Sequence, residues 1–179
     1  MVSFKKNGYI NVDFSTQTKP DIIHNLNVIP YPFRDNQFDL IEADHVLEHL
    51  NNPFAVIKEL HRISRNSALW KIKVPHFTRG FSHPEHKSGF DITFPYYYNK
   101  NFAGGFQGIE LEVIKLKLHW FSQPYLKKTV LSTSKYYAAL SLGKIFSFIA
   151  NLSPELCSRI WSFWVGGFEE IEFEFKVIK

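Results

Sequence analysis

The chain has 179 residues, 45% hydrophobic and 17% aromatic, which is enough apolar material for one domain with a packed core. Its formal net charge is +4, but the lysines and arginines are scattered, and this argues against a nucleic-acid-binding face with its basic stripe. A single cysteine excludes an intramolecular disulfide and a thiolate metal cluster, so we expect a cytoplasmic protein.

The first half of the chain has the pattern of a parallel sheet wound with helices. Short apolar runs predict four strands, at residues 9–13, 21–26, 38–43 and 69–77. A helix is predicted between the last two, with Asn52 as N-cap and Pro53 at the first helical position. Its apolar residues recur at the spacing of one buried face: Phe54, Ile57, Leu60 and Ile63. Strands separated by helices indicate an α/β fold.

The second half has a different pattern. Residues 107–120 and 168–178 alternate between apolar and polar side chains, which predicts a pair of antiparallel strands. Between them, residues 124–165 are aromatic and helical in pattern, and we interpret them as an insertion between the last two strands. We therefore expect one domain over residues 1–179, with a cofactor-binding core at 1–106 and the C-terminal strands with their insertion at 107–179.

Several segments resemble the signature blocks of a known family, the type-11-like class I methyltransferases that use S-adenosylmethionine. These segments are GYINVD (8–13), DIIHNLNVIPYPF (21–33), DNQFDLIEADHVLEHL (35–50) and ELHRISRNSALWKIKVPHF (59–77). The loop SHPEHKSGF (82–90) is similar to one found in small methyltransferases associated with polysaccharide biosynthesis. The resemblance implies a Rossmann-like, doubly wound and mostly parallel sheet with an antiparallel C-terminal strand pair.

The resemblance also implies where the cofactor would bind. In open α/β sheets, ligands bind at the carboxyl ends of the strands. Asp13 would take both ribose hydroxyls, although it could instead only cap a turn. Asn25 stands where relatives carry an acidic residue for the adenine amino group, and Leu26 would offer its backbone to the adenine edge. Three further residues would line the pocket near the sulfonium: Ala43, Asp44 and His45.

Two departures from the family pattern concern glycines. Family members begin with a strand and a glycine-rich turn that holds the methionine moiety, whereas Gly8 is the only glycine before residue 80 here. Residues 65–68, Arg-Asn-Ser-Ala, replace the usual Lys-Pro-Gly-Gly turn. We therefore expect the first strand to be missing, through truncation or degeneration, or to be supplied by a partner or oligomer that completes the sheet.

Residues 45–49 spell H-x-x-E-H, a pattern known from inverted zinc metalloproteases. On a helix, His45 and His49 would share a face and Glu48 could serve as base. The segment also lies in a block where the methyltransferase family commonly shows a similar V-L-E-H. A protease would need a third ligand and a long cleft, so we favour the methyltransferase interpretation and expect no metal.

A second group of histidines follows the predicted strand at 69–77. Transfer of a methyl group to a hydroxyl requires removal of one proton, and neutral imidazole has a suitable pKa. We predict His83 or His86 as general base, with Asp91 or Glu85 as an orienting carboxylate, and His76 as a substrate contact. The alternative is a loop that merely packs over the sheet with its histidines bonded to backbone.

The function that we predict is S-adenosylmethionine-dependent O-methylation of a small molecule or saccharide. The rival is a degenerate, non-catalytic relative that serves as an interaction or scaffold module. The acceptor is the expected partner, with no nucleic acid. The apolar segment at 124–165 would also permit peripheral contact with a membrane.

Overall fold

The structure is a computed structural model that describes residues 8–164 and 167–179. The predicted domain's first seven residues and the end of the predicted insertion, residue 165, lie outside the described residues. The strands are β1 (Val12–Asp13), β2 (Ile22–Ile23), β3 (Phe38–Asp44), β4 (Ser64–Pro75), β5 (Glu110–His119) and β6 (Glu170–Ile178). The longer helices are α1 (Pro53–Ile63), α2 (Phe77–Gly80), α3 (Pro124–Val130) and α4 (Thr133–Ala150). A further helical segment, Pro154–Trp164, includes a π-helical turn at Cys157–Trp161.

The strands form a mixed α/β structure with two sheets. The larger sheet has the order β3-β4-β6-β5, and β1 and β2 form a separate parallel pair. β3 and β4 are parallel, whereas β6 runs antiparallel to both of its neighbours. The antiparallel pairing of β5 with β6 agrees with the prediction for residues 107–120 and 168–178, and helices occupy the chain between them. That a first strand is missing stays a prediction.

The core lies between α1 and the central strands. Asn52 caps α1 as predicted, since its side-chain oxygen accepts a hydrogen bond from the amide of Ala55 at 3.1 Å. Of the predicted apolar face, Ile57, Leu60 and Ile63 are buried, while Phe54 is half-buried and stacks on Phe94. The inward side chains of β4 and β6 are fully buried: Trp70, Ile72, Val74, Ile171, Phe173 and Phe175.

β4 begins earlier than predicted. The strand starts at Ser64 rather than at residue 69, because Ser64 already pairs with Phe38 of β3. The pairing shifts from Phe38 opposite Ser64 to Leu40 opposite Leu69, so the extra residues bulge out of the ladder. Within this bulge, Ser67 has a φ of 64°.

The helices between β5 and β6 leave much apolar surface uncovered. In α4, Leu142, Ile145 and Phe148 are exposed, whereas Gly143 and Ala150 are buried. Among the described residues, no helix combines the length and apolarity needed to cross a bilayer.

Candidate functional site

The candidate site lies at the carboxyl ends of β3 and β4. The chain leaves β3 through His45 into a short 3-10 helix, Leu47–His49, and leaves β4 through His76 into the loop at 81–90. The loop is tied to the 3-10 helix, because the amides of Lys87 and Ser88 both donate to the carbonyl of Glu48, at 2.7 and 3.3 Å. Two separate histidine-containing segments are thereby held together.

His45 lies between two buried carboxylates. Its Nε2 is 2.8 Å from Glu170 and its Nδ1 is 3.3 Å from Glu48, and its own φ is 54°. Burial lowers the pKa of His45, but the hydrogen bonds and charges of Glu170 and Glu48 outweigh it and raise the pKa to about 9. His45 is therefore an imidazolium at neutral pH, and it links β3 to the start of β6.

The zinc-protease interpretation of residues 45–49 needed an α-helix that places both histidines on one face. The segment is not an α-helix: His45 has a left-handed backbone, and only Leu47–His49 form a 3-10 turn. His45 is bonded to two carboxylates, whereas the ring of His49 packs against His83 and His86.

His49, His83 and His86 form a cluster of three imidazoles. Their ring centroids are 4.8 Å apart for His49 and His86, 4.9 Å for His83 and His86, and 5.9 Å for His49 and His83. The carboxylate of Glu48 lies beneath this cluster, with Oε1 4.0 Å from Nε2 of His86 and with no exposed side-chain surface. The structure therefore brings both predicted bases together and adds Glu48 and His49 to them.

Hydrogen bonds distinguish the two predicted bases. Nδ1 of His86 lies against the carbonyl oxygen of Gly80, which can only accept, so this nitrogen carries the proton and Nε2 of a neutral His86 has the free lone pair. Nδ1 of His83 accepts from the amide of Glu85 at 3.3 Å, so Nε2 of a neutral His83 carries the proton. In this geometry His86 can accept a proton and His83 can donate one.

His76 and Asp91 belong to a different, buried network. Nε2 of His76 is 2.9 Å from Oγ of Ser158, which donates to Asp91 at 2.6 Å, and Nδ1 is 2.8 Å from Oγ1 of Thr78. His76 is fully buried, and this burial lowers its pKa to about 4. Both ring nitrogens of His76 are hydrogen-bonded inside the protein. Its role as a substrate contact stays a prediction.

The predicted ribose and adenine residues lie at the ends of β1 and β2. Oδ1 of Asp13 caps the amide of Ser15 at 2.9 Å, as the turn-capping alternative expected, and the residue is half-buried. The side-chain oxygen of Asn25 accepts from the amide and the side chain of Asn27, at 3.0 and 3.3 Å. Both of its lone pairs are thus used within the loop, and binding of an adenine amino group would have to displace one of these contacts.

The other predicted pocket residues fall at matching strand ends. The carbonyl of Leu26 accepts from the hydroxyl of Tyr31 at 3.0 Å. Ala43 is half-buried near the end of β3, and the exposed carboxylate of Asp44 is 3.4 Å from Nζ of Lys73. The two surface depressions that stand out in the described part of the chain lie elsewhere, one along residues 31–37 and one between β5 and α4.

Comparison with known proteins bears on the fold. Residues 8–69 match the family model of a methyltransferase domain. A S-adenosylmethionine-dependent methyltransferase from Archaeoglobus fulgidus superimposes with a TM-score of 0.55 at 14% identity, over 92% of this chain and 74% of that one. The fold is that of a methyltransferase domain.

Two further structures share this methyltransferase fold. A candidate sarcosine dimethylglycine methyltransferase from Galdieria sulphuraria gives a TM-score of 0.51 at 14% identity and 86% coverage of this chain, which spans only 57% of that protein. The YcgJ protein of Bacillus subtilis gives 0.50 at 11% identity, over 94% of this chain and 81% of that one. No curated protein sequence matches the chain significantly.

The sequence did not reveal the acidic partners of these histidines, Glu48 for the cluster and Glu170 for His45. Glu48 was considered only as the base of a zinc protease, and Glu170 was not considered, because it is 125 residues from His45 in the chain. A local signal existed: V-L-E-H at 46–49 and H-P-E-H at 83–86 both carry histidine beside glutamate. The sequence could not show that the two segments meet.

The residues present fit S-adenosylmethionine in part. A carboxylate stands at the end of β1 and an amide at the end of β2, as hydroxyl and amino groups of a nucleoside require. In the described residues before β1, Gly8 has a φ of 82°, and nothing lies within 4 Å of a Cβ added there. The nucleoside end of the cofactor therefore has candidate partners among the described residues.

Proposed function

We propose that this chain transfers a methyl group from S-adenosylmethionine to a hydroxyl of a small molecule or saccharide. The observation that carries the proposal is His86: its Nε2 has a free lone pair, and it lies at the carboxyl ends of the strands, beside Glu48. Ligands bind at this edge in open α/β sheets. The saccharide acceptor rests on the sequence resemblance of the loop at 82–90.

Residues at the ends of three strands, β1, β2 and β3, would bind different parts of the cofactor. Asp13 would bind the ribose hydroxyls, while Asn25 and the backbone of Leu26 would contact the adenine. Ala43, Asp44 and His45 would lie near the donor end. The bound cofactor would supply an activated methyl group on a sulfonium.

His86 would hold and move the proton. The acceptor oxygen takes the methyl group as the carbon–sulfur bond breaks, and the hydroxyl proton moves to Nε2 of His86. The bond from Nδ1 to the carbonyl of Gly80 would stabilise the imidazolium that forms. His83, with a proton on Nε2, would orient the acceptor by donating to another of its oxygens.

Calorimetric titration with S-adenosylmethionine and S-adenosylhomocysteine tests the cofactor assignment. Asp13→Asn keeps an oxygen that can cap Ser15 but loses the bidentate carboxylate, so we expect affinity to fall by about tenfold or more. Asp39→Asn is the matched control, because Asp39 lies near the opposite end of β3 in an exposed ion pair. No heat at millimolar ligand would contradict the enzyme function and favour the scaffold alternative.

Transfer of radiolabelled methyl groups to a panel of free hexoses and hexuronic acids tests the acceptor chemistry. His86→Ala should reduce transfer by about 10²- to 10⁴-fold, the usual contribution of a general base, while cofactor affinity is retained. His61→Ala is the control, because its ring bonds the carbonyl of Ile178 at the other end of β6 from Glu170. Equal rates for His86→Ala and wild type would refute the role of His86.

We also propose that the helices between β5 and β6 rest on an anionic membrane surface, as suits a cytoplasmic enzyme that acts on lipid-linked acceptors. Residues 124–164 hold five basic residues and one acidic residue, a net charge equal to the whole chain's +4. Phe148, Phe163 and Trp164 are 69, 70 and 87% exposed in the same segment. Exposed aromatic side chains beside basic residues favour binding to an anionic lipid surface.

Co-sedimentation with vesicles tests this proposal. We expect binding to vesicles that contain phosphatidylglycerol, little binding to pure phosphatidylcholine, and loss of binding in the double variant Phe148→Ser/Trp164→Ser. Phe14→Ser, at a 74% exposed phenylalanine outside the segment, is the control. If the wild type, the double variant and Phe14→Ser sediment equally, the helices between β5 and β6 do not bind the membrane.

A further inference from the structure

We propose that Glu48, His49 and His86 bind one divalent transition-metal ion such as Zn²⁺. The inference goes beyond the proposed methyl transfer and does not depend on it. One ligand atom from each of the three residues lies within 4.8 Å of the other two. Two imidazoles and one carboxylate are the donor set of open zinc sites, which keep further positions for water or substrate.

The first independent observation is an unpartnered oxygen on Glu48. The side chain of Glu48 is fully buried, and its Oε2 has no hydrogen-bond partner within the described part of the chain. A buried carboxylate oxygen without a hydrogen-bond partner is unfavourable, because no new bond offsets its loss of water. A cation held between Glu48 and the two histidines would supply the missing partner.

The orientation of His86 is the second observation. Histidines that bind metals usually donate their other ring N–H to a carbonyl or carboxylate, which fixes the tautomer. Nδ1 of His86 does so to the carbonyl of Gly80, and Nε2 is left free on the side of Glu48. The ring is thus held in the tautomer and direction that a ligand needs.

The ligand atoms of Glu48, His49 and His86 are slightly farther apart than they would be around a bound zinc ion. Ligand atoms around a tetrahedral zinc ion lie about 3.3 Å apart, since each is roughly 2.0–2.1 Å from the metal. Closing the gap needs a shift of about 1–1.5 Å, which the partly exposed His86 can provide from its loop more readily than the buried Glu48.

A neighbouring group, formed by Asp44, His45 and Glu170, has similar spacing between its ligand atoms. It differs in that its histidine is already fully hydrogen-bonded. Both ring nitrogens of His45 are already bonded to Glu48 and Glu170, so it has no lone pair to offer. The Glu48, His49 and His86 group keeps an unpartnered carboxylate oxygen within the described residues and the open Nε2 of His86.

A bound ion would use the lone pair that His86 offers to an acceptor hydroxyl in the metal-free protein. The ion itself would then bind the hydroxyl and lower its pKa. Metal binding can still be tested separately from methyl transfer, because a zinc titration needs neither the cofactor nor an acceptor.

Titration of the chelator-treated full chain with ZnCl₂, followed by calorimetry, measures the binding directly. We expect one equivalent to bind, and a decrease in affinity of about 100-fold or more in His86→Ala and in Glu48→Gln, which keeps the side chain's shape. His61→Ala is the matched control, since its ring bonds the backbone carbonyl of Ile178, at the other end of β6 from Glu170. Co²⁺ gives a second readout, because a four-coordinate site produces strong visible absorption bands.

Absence of Zn²⁺ binding to the wild-type chain would overturn the proposal. Wild-type affinity in both His86→Ala and Glu48→Gln would also overturn it, because the ion would then bind elsewhere. If Glu48→Gln fails to fold, His86→Ala and the Co²⁺ spectrum of the wild-type chain decide, since His86 lies on a surface loop. If S-adenosylmethionine does not bind in its own titration, the results of the zinc titration are interpreted in the same way.

Discussion

His76 and His45 show how the surroundings of a residue set its charge in this protein. His76 is surrounded by hydroxyl groups and aromatic rings, including that of Phe168, and burial keeps it neutral. His45 is less completely buried, with 19% of its side-chain surface exposed, and two carboxylates keep it charged. The same residue type therefore contributes to stability in opposite pH ranges.

Protonation of His76 should destabilise the fold below neutral pH. Its pKa is about 4 in the folded chain and about 6.5 when unfolded, so the unfolded state binds the proton more readily. Neutral His76 makes its full contribution to the free energy of unfolding above pH 6.5. About 3 kcal/mol of that free energy is lost as the pH falls from 6.5 to 4. Denaturant unfolding at a series of pH values measures this loss.

His76→Gln tests the assignment, because glutamine keeps a hydrogen-bonding group but does not titrate. We expect this variant to be less stable at pH 7 and to lose less stability than the wild-type chain between pH 6.5 and 4. His24→Gln serves as control for a half-exposed histidine. Parallel pH profiles for wild type and His76→Gln would contradict the prediction.

Among the secondary-structure elements, β4 carries a strained residue at its start. Ser67 lies in the bulge with a φ of 64°, a region where a Cβ is unfavourable and glycine is not. Ser67→Gly should therefore raise the free energy of unfolding by about 0.5–1 kcal/mol. Thermal and denaturant unfolding measure the gain.

The matched control is Ser132→Gly. Ser132 is exposed like Ser67, makes no side-chain cap bond and has a φ of −61°, so glycine there should lower stability slightly. A loss of stability in both variants would show that the backbone at Ser67 is not strained.

At the scale of the whole molecule, β3 lies at one edge of the larger sheet within the described residues. Among the described residues β3 pairs only with β4, and its side chains are half-buried or exposed rather than buried. An edge strand of this kind offers unpaired backbone groups to another chain. We therefore propose that a second copy or a partner adds a strand there, as the sequence led us to expect.

Analytical ultracentrifugation over a range of concentrations tests this association. We expect a concentration-dependent dimer that Ile41→Lys weakens, because a lysine on an edge strand disfavours pairing. Val113→Lys is the control on β5, the opposite edge of the sheet, where Val113 is 41% exposed. A monomer at all concentrations would exclude self-pairing, and equal effects of both variants would exclude β3 as its site.

The sequence by itself determined the local elements. Helix α1 follows from the Asn52 cap, Pro53 and an apolar repeat, and the alternation at 107–120 and 168–178 follows from strands with two unlike faces. These signals span a few residues, so no tertiary contact is needed to interpret them. The family resemblance over the first half likewise predicted the methyltransferase fold that the solved structures share.

Tertiary structure alone decided the composition of the site. It moved the start of β4 to Ser64, since pairing with β3 overrode the expected turn. It buried His76, and it joined His45 to Glu170 across 125 positions of the chain. Glu48 became the centre of the histidine cluster because the loop at 81–90 folds back onto its carbonyl. Such contacts depend on how strands and loops meet in space, and residue spacing along the sequence carries no record of them.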